Sequence, residues 1–332
     1  MAETMTKFER VTAFFHGEEV DRVPVCFWWH FPSDLKPEDM VQRHLDFFHD
    51  TGEDMLKISS DGFFGWPAEA LKEPYDVKKL YEIEHIPADH PYIRGQVERA
   101  KAIVKGLGGE ARTIYTTFNP LSLIRLQVGW DQMMAWMRED PKALMHACEV
   151  VADDHIAMMD AILHEAGVDG FLYSVQNAEI NRFTVEEYRE WVTPSELREL
   201  QFLHENSEYV VLHCCGWDAD EAGTVNHLES WKDYPANVIS WASYVDNKDT
   251  AQIREFFHGL PAWGGFDNRV GTLIQVGSED EVKAEARRLM ELGGKKGFML
   301  GPDCSLPFMD YHRVRWIVDA ARGEDAVPKM RP

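Results

Sequence analysis

Three residues with metal-binding side chains, His213, Cys215 and Cys304, lie beside segments that resemble β-strands. In YVVLHCCGW (209–217) the histidine and the second cysteine are two positions apart, so in an extended chain both point to the same face. Cys304 follows the apolar run in FMLGPDCSLP (298–307). One nitrogen and two sulfurs suit Zn²⁺, and three protein ligands leave a fourth position for a substrate. The pattern predicts a zinc site if the two segments meet; the alternative is ordinary buried cysteines and a structural histidine.

Eight β-rich segments alternate with helical patterns along the chain, and they would have to bring these residues together. The segments are 23–29, 55–59, 112–118, 171–175, 209–214, 238–244, 262–266 and 298–301. Near-continuous apolar strands separated by helices predict a parallel sheet, and eight such units predict an α/β fold of the (β/α)8 TIM-barrel type. We expect one domain over residues 1–332. The strand ends of a barrel share one rim, where barrel enzymes keep their active sites.

Local signals mark several helix boundaries. Thr184 with Glu187 predicts a capping box that opens a helix through Leu200, and Ser278 with Glu281 predicts a second capping box. Gly293-Gly294 should end that later helix. The stretch 121–165 should divide into two or more helices, and residues 60–93 should form an elaborated loop.

The charge balance limits the range of partners. The chain has 57 acidic and 34 basic residues and a net charge of −23. Such a surface repels nucleic acid and anionic membranes, and it disfavours a polyanionic substrate unless a local basic pocket intervenes. No signal peptide or apolar stretch of about 20 residues is evident, so we expect a cytoplasmic protein. Among the five cysteines, Cys26 and Cys148 are expected in the core.

The chain resembles the uroporphyrinogen decarboxylase superfamily, and within it the zinc methyltransferase branch. The likeness includes FERVTAFFHGEEVDRVPV, DMLKISSDGFF, AGVDGFLYSVQNAE followed by TVEEYREWV, HCCG and GFMLGPDCSLP. In that branch, methylcobamide:coenzyme M methyltransferases bind zinc through a His-x-Cys-Gly motif and a late cysteine. The resemblance implies that His213, Cys215 and Cys304 hold Zn²⁺, and that a methyl group moves to or from the cobalt of a corrinoid.

The corrinoid should be carried by a separate protein. Corrinoid-binding modules use Asp-x-His-x-x-Gly, and the nearest string here, DYHRVR (310–315), lacks the glycine. We therefore expect a corrinoid protein to dock transiently over the rim.

The decarboxylase branch fits less well. Its members carry an arginine-rich motif after the first strand that binds substrate carboxylates, whereas this chain reads CFWWHFP at 26–32. A polycarboxylate would be left without its cations there. Asp61 is the candidate match for that branch's catalytic aspartate, but decarboxylation is the weaker hypothesis.

Aromatic residues after the first two predicted strands favour a methoxyarene as methyl donor, with the reaction an O-demethylation. Trp217 and Phe308 add to this set. The predicted substrate-binding residues are Trp28, Trp29, Phe63, Gln176, Asn177, Asp246, Asn268 and Arg269, and the predicted catalytic residues are Glu179, Tyr173 and His30. His30 is a candidate proton donor to a phenolate, and Glu179 or Asp246 a candidate fourth zinc ligand.

Two further alternatives remain open. The first is transfer of methyl from the corrinoid to a small thiol such as coenzyme M, for which Arg269 could bind the sulfonate. The second is a non-catalytic barrel with a structural zinc.

Overall fold

The computed structural model describes residues 4–216 and 224–323. In these residues seven parallel strands form one sheet in chain order. The strands are Met55–Ile58 (β1), Arg112–Phe118 (β2), Gly170–Val175 (β3), Val210–Cys214 (β4), Val238–Trp241 (β5), Ala262–Phe266 (β6) and Phe298–Pro302 (β7). Each strand pairs with the next, so helical connections must return the chain to the same end each time. The predicted α/β class with a parallel sheet is confirmed.

Helices connect and cover the strands. They are Lys7–Phe15 (α1), Pro37–Thr51 (α2), Pro91–Leu107 (α3), Pro120–Val128 (α4), Trp130–Glu139 (α5), Pro141–His164 (α6), Val185–Trp191 (α7), Thr193–Asn206 (α8), Thr250–Phe256 (α9), Leu273–Val276 (α10), Glu279–Gly293 (α11) and Arg313–Arg322 (α12). Short 3-10 turns lie at Glu69–Leu71, Val77–Glu82 and Leu228–Ser230. Across the described ranges, the helices lack the combination of length and apolar character that a bilayer crossing requires.

The helix boundaries follow most of the local signals. Both predicted capping boxes are present, and Gly294 caps the end of α11. The stretch 121–165 divides into α4, α5 and α6, as expected. The single helix expected from Thr184 to Leu200 is wrong, because α7 ends at Trp191 and α8 begins at Thr193. Pro194 has no N–H to donate to the preceding turn, so the helix breaks there.

The predicted first strand, 23–29, is not a strand. It forms one isolated bridge, between Val25 and Leu300 of β7. Carboxylates take the N–H groups that a neighbouring strand would otherwise bind: Val25 N donates to Asp54 Oδ2 and Phe27 N to Glu53 Oε2, each at 2.9 Å. The segment still lies between the two edge strands of the sheet, β1 and β7. On the β1 side, the N–H of Asp54, just before that strand, donates to the carbonyl oxygen of Val25. The closed eight-stranded barrel stays a prediction.

The two faces of the sheet form separate cores. Alternate residues such as Leu172 and Val211 belong to an inner cluster, while Tyr173 and Leu212 pack with the helices outside. The α1 helix adds Val11, Phe14 and Phe15 to the inner cluster. Tyr209, which directly precedes β4, packs edge-on against Phe15 at 5.1 Å between ring centroids, so α1 lies at the amino-terminal end of the strands. The carboxyl-terminal end is where the candidate site lies.

Candidate metal centre

His213, Cys215 and Cys304 converge at the carboxyl ends of β4 and β7. One ligand atom from each residue lies within 4.8 Å of the others, and the two Sγ atoms are 3.8 Å apart. Two sulfurs bound tetrahedrally to one zinc at ~2.3 Å would be about 3.8 Å apart. Residues separated by nearly ninety positions therefore have the spacing and the donor types of a zinc site.

Strand register determines the orientation of His213. The pairing of β4 with β5 sets His213 beside Ser240, and His213 Nδ1 lies 2.9 Å from Ser240 Oγ. With Nδ1 occupied by the serine hydroxyl, Nε2 is the nitrogen left for a metal. The imidazole is buried and meets the Trp28 ring edge-on at 5.7 Å between centroids.

The contact between the two cysteines shifts the pKa values of their thiols in opposite directions. The thiol of Cys304 hydrogen-bonds Cys215 and, with help from His213, lowers the pKa of Cys215 well below its usual value. The same hydrogen bond, reinforced by burial, raises the pKa of Cys304. Cys215 is thus prepared as a thiolate, the form of cysteine that binds metals. Cys214 faces the outer core instead, where burial raises the pKa of its thiol.

The loop that carries Cys304 is held by its neighbour Asp303. That carboxylate accepts hydrogen bonds from Ser243 Oγ, Tyr244 N and Gly265 N. Cys215 is anchored by its carbonyl oxygen, which accepts from Asn226 Nδ2 at 3.2 Å. Both sulfur ligands therefore lie on irregular chain that buried hydrogen bonds fix in place.

A cavity of about 580 Å³ opens above the three ligands. Its aromatic wall residues are Trp28, Phe64, Phe118, Trp130 and Phe308. Four of the predicted substrate or catalytic residues line it, namely Trp28, His30, Gln176 and Asn268. His30 is half exposed, and its Nδ1 lies 2.6 Å from Asp61 Oδ1, which leaves Nε2 free to act on a ligand. The volume suits a small molecule with one ring.

Other predicted site residues lie outside this cavity. Trp29 packs edge-on against Tyr311 and Phe308. Phe63 contacts Tyr92 and lies under the Arg99 guanidinium. Arg269 forms an ion pair with Asp267 at 2.8 Å and is not among the residues that line the cavity, and its role as a sulfonate partner stays a prediction.

The remaining polar candidates after β3 and β5 are not among the residues that line the cavity. Tyr173 faces the helices because odd positions of β3 point outward, and its hydroxyl donates to Glu199 at 2.6 Å. Asn177 donates to Ser122 Oγ, and Asp246 accepts from Asn226 N at 3.0 Å. Glu179 is buried beside Arg182, and burial raises its pKa to about 7. These four side chains do not line the cavity, but the Glu179 and Asp246 carboxylates are near enough to Cys215 to interact with its charge, and a fourth zinc ligand from either stays a prediction. Trp217 lies outside the described residues.

Two cations that the sequence analysis did not select do line the cavity, Lys57 and Arg125. Lys57 follows Met55 on the inner face of β1, and burial lowers its pKa to about 8. Arg125 on α4 donates to Gln176 Oε1 and stacks over Trp130, 4.4 Å from the ring centroid. A lysine inside an otherwise apolar buried strand was the one available signal for Lys57. The position of Arg125 depends on where α4 docks, which no local pattern reveals.

The fold and the site together define an α/β protein with a parallel sheet and a His/Cys/Cys cluster at the carboxyl ends of its strands. The family model described as uroporphyrinogen decarboxylase (URO-D) matches residues 66–323, and the chain belongs to this family. The expected membership is confirmed.

Solved structures resemble this chain over most of its length. A methyltransferase from Methanosarcina mazei superposes with a TM-score of 0.73 at 19% identity, covering 96% of this chain and 99% of that one. A B12-independent methionine synthase from Shewanella sp. W3-18-1, in complex with selenomethionine, gives a TM-score of 0.58 at 14% identity, covering 91% and 95%. At such identities the likeness concerns the fold alone. The comparison with curated proteins gave no significant match.

Proposed function

We propose that this protein is a zinc-dependent methyltransferase that moves a methyl group from a methoxyarene to the cobalt of a corrinoid on a separate protein. The observation that carries the proposal is the convergence of one imidazole nitrogen and two sulfurs, all within 4.8 Å, below an aromatic cavity. Within the described residues three ligands converge there, which favours a catalytic site over a closed structural one.

The residues around the cluster have definable roles. His213, Cys215 and Cys304 would hold the zinc, which supplies Lewis acidity toward an ether or a thiol when bound. Trp28 and Trp130 would pack against the aromatic ring and exclude water from it. His30, fixed by Asp61, is positioned to give a proton to the phenolate that forms when the methyl group leaves.

A thiol acceptor is the second candidate. The observation that favours it is the pair of cations, Lys57 and Arg125, since a small thiol with a sulfonate would find a partner in the cavity. Uroporphyrinogen decarboxylation is the weaker candidate, because the segment 26–32 supplies no arginine and the two cations of the described lining are too few for a polycarboxylate.

The test combines metal analysis with methyl transfer. We expect about one zinc per chain, and we expect a methoxyarene to convert cob(I)alamin, a stand-in for the corrinoid protein, to methylcobalamin. Structural zinc contributes roughly 10–16 kcal/mol over four ligands, so one ligand is worth about 2.5–4 kcal/mol, or about 10²- to 10³-fold in affinity. Cys304→Ala should weaken zinc binding by that factor and abolish transfer.

Cys148→Ala is the matched control, because that thiol is buried in the outer core. It should keep both zinc and transfer. Full zinc retention in Cys304→Ala would remove Cys304 from the site. Methyl transfer from methylcobalamin to a thiol, without transfer from any methoxyarene, would replace the first function with the second.

A further inference from the structure

The charged side chains that line the cavity are basic, whereas the chain as a whole is acidic. The chain carries 57 acidic residues against 34 basic ones, yet the described cavity lining contains Lys57 and Arg125 and no aspartate or glutamate. Two thiolates and one Zn²⁺ would cancel each other. A cleft with apolar walls concentrates the field of the charges that remain. The ligand that fits this field is an anion.

Arg125 is held in position for such a ligand. Its guanidinium stacks over Trp130, and its Nη2 donates to Gln176 Oε1. Among the described residues this is the one hydrogen bond that the Arg125 side chain makes, and Nη1 is left for a ligand in the cavity. Stacking on an indole orients the guanidinium before anything binds.

Gln176 also sets the distance between this cation and the metal cluster. Its side chain hydrogen-bonds Cys215 as well as Arg125, so one carboxamide separates the guanidinium from the cluster. An anionic group on Arg125 would therefore lie within the length of a small molecule from the reacting end of the site.

Lys57 provides a second positive charge at greater depth. Its side chain is 6% exposed, and its ammonium lies 5.1 Å from the Trp28 ring centroid. No described residue accepts a hydrogen bond from it. The nearby Asp61 carboxylate and the thiols of the cluster offset part of the cost of burying this ammonium, and an anionic ligand would offset more of it.

We propose that the cavity binds the carboxylate or sulfonate of a small, singly charged methyl donor or acceptor, with the Arg125 guanidinium as its direct partner. This inference rests on the proposed function, since it names the class of substrate for the same site. It narrows the methoxyarenes to those with an acidic group and the thiols to those with a sulfonate.

Binding is measured by calorimetry on the full chain as purified, without cobalamin, so that no turnover is needed. The two probes of each pair share the reacting group, and only one of them is an anion: 4-methoxybenzoate against 4-methoxybenzamide, and 2-mercaptoethanesulfonate against 2-mercaptoethanol. A hydrogen bond to a charged group contributes about 1.5–3 kcal/mol, so the anion of the correct pair should bind about 10- to 100-fold more tightly than its neutral partner. The pair that shows the preference identifies the source of the anion.

Arg125→Gln should remove that preference and leave the affinity for the neutral probe unchanged, and Arg125→Lys should keep part of it. Arg288→Gln removes the same charge from a surface pair with Glu285 and should change nothing. Unchanged neutral binding shows that Arg125→Gln still forms the cavity. Equal binding of anion and neutral probe in both pairs, or a preference that survives Arg125→Gln, overturns the inference.

The two proposals can fail separately. Anion binding through Arg125 without methyl transfer would leave the anion site in place and remove the function. Transfer from neutral and anionic methoxyarenes at equal efficiency would keep the function and remove the anion site.

Discussion

Ser240→Ala tests whether the orientation of His213 depends on its neighbour in the sheet. Ser240 is fully buried, and its Oγ lies 2.9 Å from His213 Nδ1. The alanine removes the only group that the structure offers to Nδ1 among the described residues. Nδ1–H would then be buried without an acceptor, or the ring would turn and present the wrong nitrogen to the zinc.

Two independent estimates of the loss of zinc-binding free energy in Ser240→Ala agree. Loss of an outer-shell partner typically weakens metal binding ~10- to 100-fold, which is about 1.4–2.7 kcal/mol. A buried donor left unsatisfied costs roughly 1–3 kcal/mol. We therefore expect zinc affinity to fall by one to two orders of magnitude (about 10- to 100-fold), with the fold retained.

The assay is a competition titration of zinc between the protein and a chromophoric chelator. Ser195→Ala is the matched control, since Ser195 on α8 is also buried but donates to the carbonyl oxygen of Val192, which directly precedes that helix. It should leave zinc affinity unchanged. Equal affinity for Ser240→Ala and wild type would refute the role of the register pair, and equal weakening by both serine variants would mean that general destabilisation is responsible.

Two further substitutions test the scaffold. Burial raises the pKa of Glu196 from 4.5 to about 7, so the folded protein keeps a proton that the unfolded chain has lost. That contribution to stability is complete below pH ~4.5 and disappears as the pH rises through 7, and it amounts to up to about 3 kcal/mol. Glu196→Gln should therefore lose less stability between pH 5 and pH 8 than the wild-type protein does, as measured by urea unfolding. An identical loss in the two proteins would contradict the assignment. Gly301→Ala places a Cβ 2.2 Å from Trp263 Nε1, whose hydrogen bond to Cys26 O holds the segment before Trp28. It should lower the free energy of unfolding by about 1–3 kcal/mol, and an unchanged value would mean that the indole moves freely.

The sequence predicted the convergence of His213, Cys215 and Cys304 because part of the signal is local and the rest follows from the parallel sheet. A histidine and a cysteine two apart at a strand end must project together, and parallel strands must end at one edge. The same parity argument, applied to β3, would have removed Tyr173 from the candidates: Leu172 and Ser174 line the cavity, so the residue between them faces the helices.

What the sequence could not provide is the result of docking between elements far apart in the chain. The segment 23–29 has the composition of a strand, but Glu53 and Asp54 take its N–H groups, and nothing in the pattern shows that these carboxylates are buried there. In the sequence alone, Arg125 resembles a solvent-exposed helix residue. Its position at the cavity becomes evident only from the way α4 packs in the fold.

The register of β3, β4 and β5 determines where the apolar core stops and the candidate metal site starts on the inner face of the sheet. Leu172, Val211 and Val238 are aligned across the three strands and form an apolar row inside the sheet. Two residues further along, the same alignment produces a polar row, Ser174, His213 and Ser240. Because alternate residues of a strand face the same side, both rows face the inside of the sheet. Moving two residues toward the carboxyl ends of the strands leads from the apolar core to the candidate site. A substitution of Val211 or Val238 should therefore cost stability, whereas one of His213 or Ser240 should cost zinc affinity.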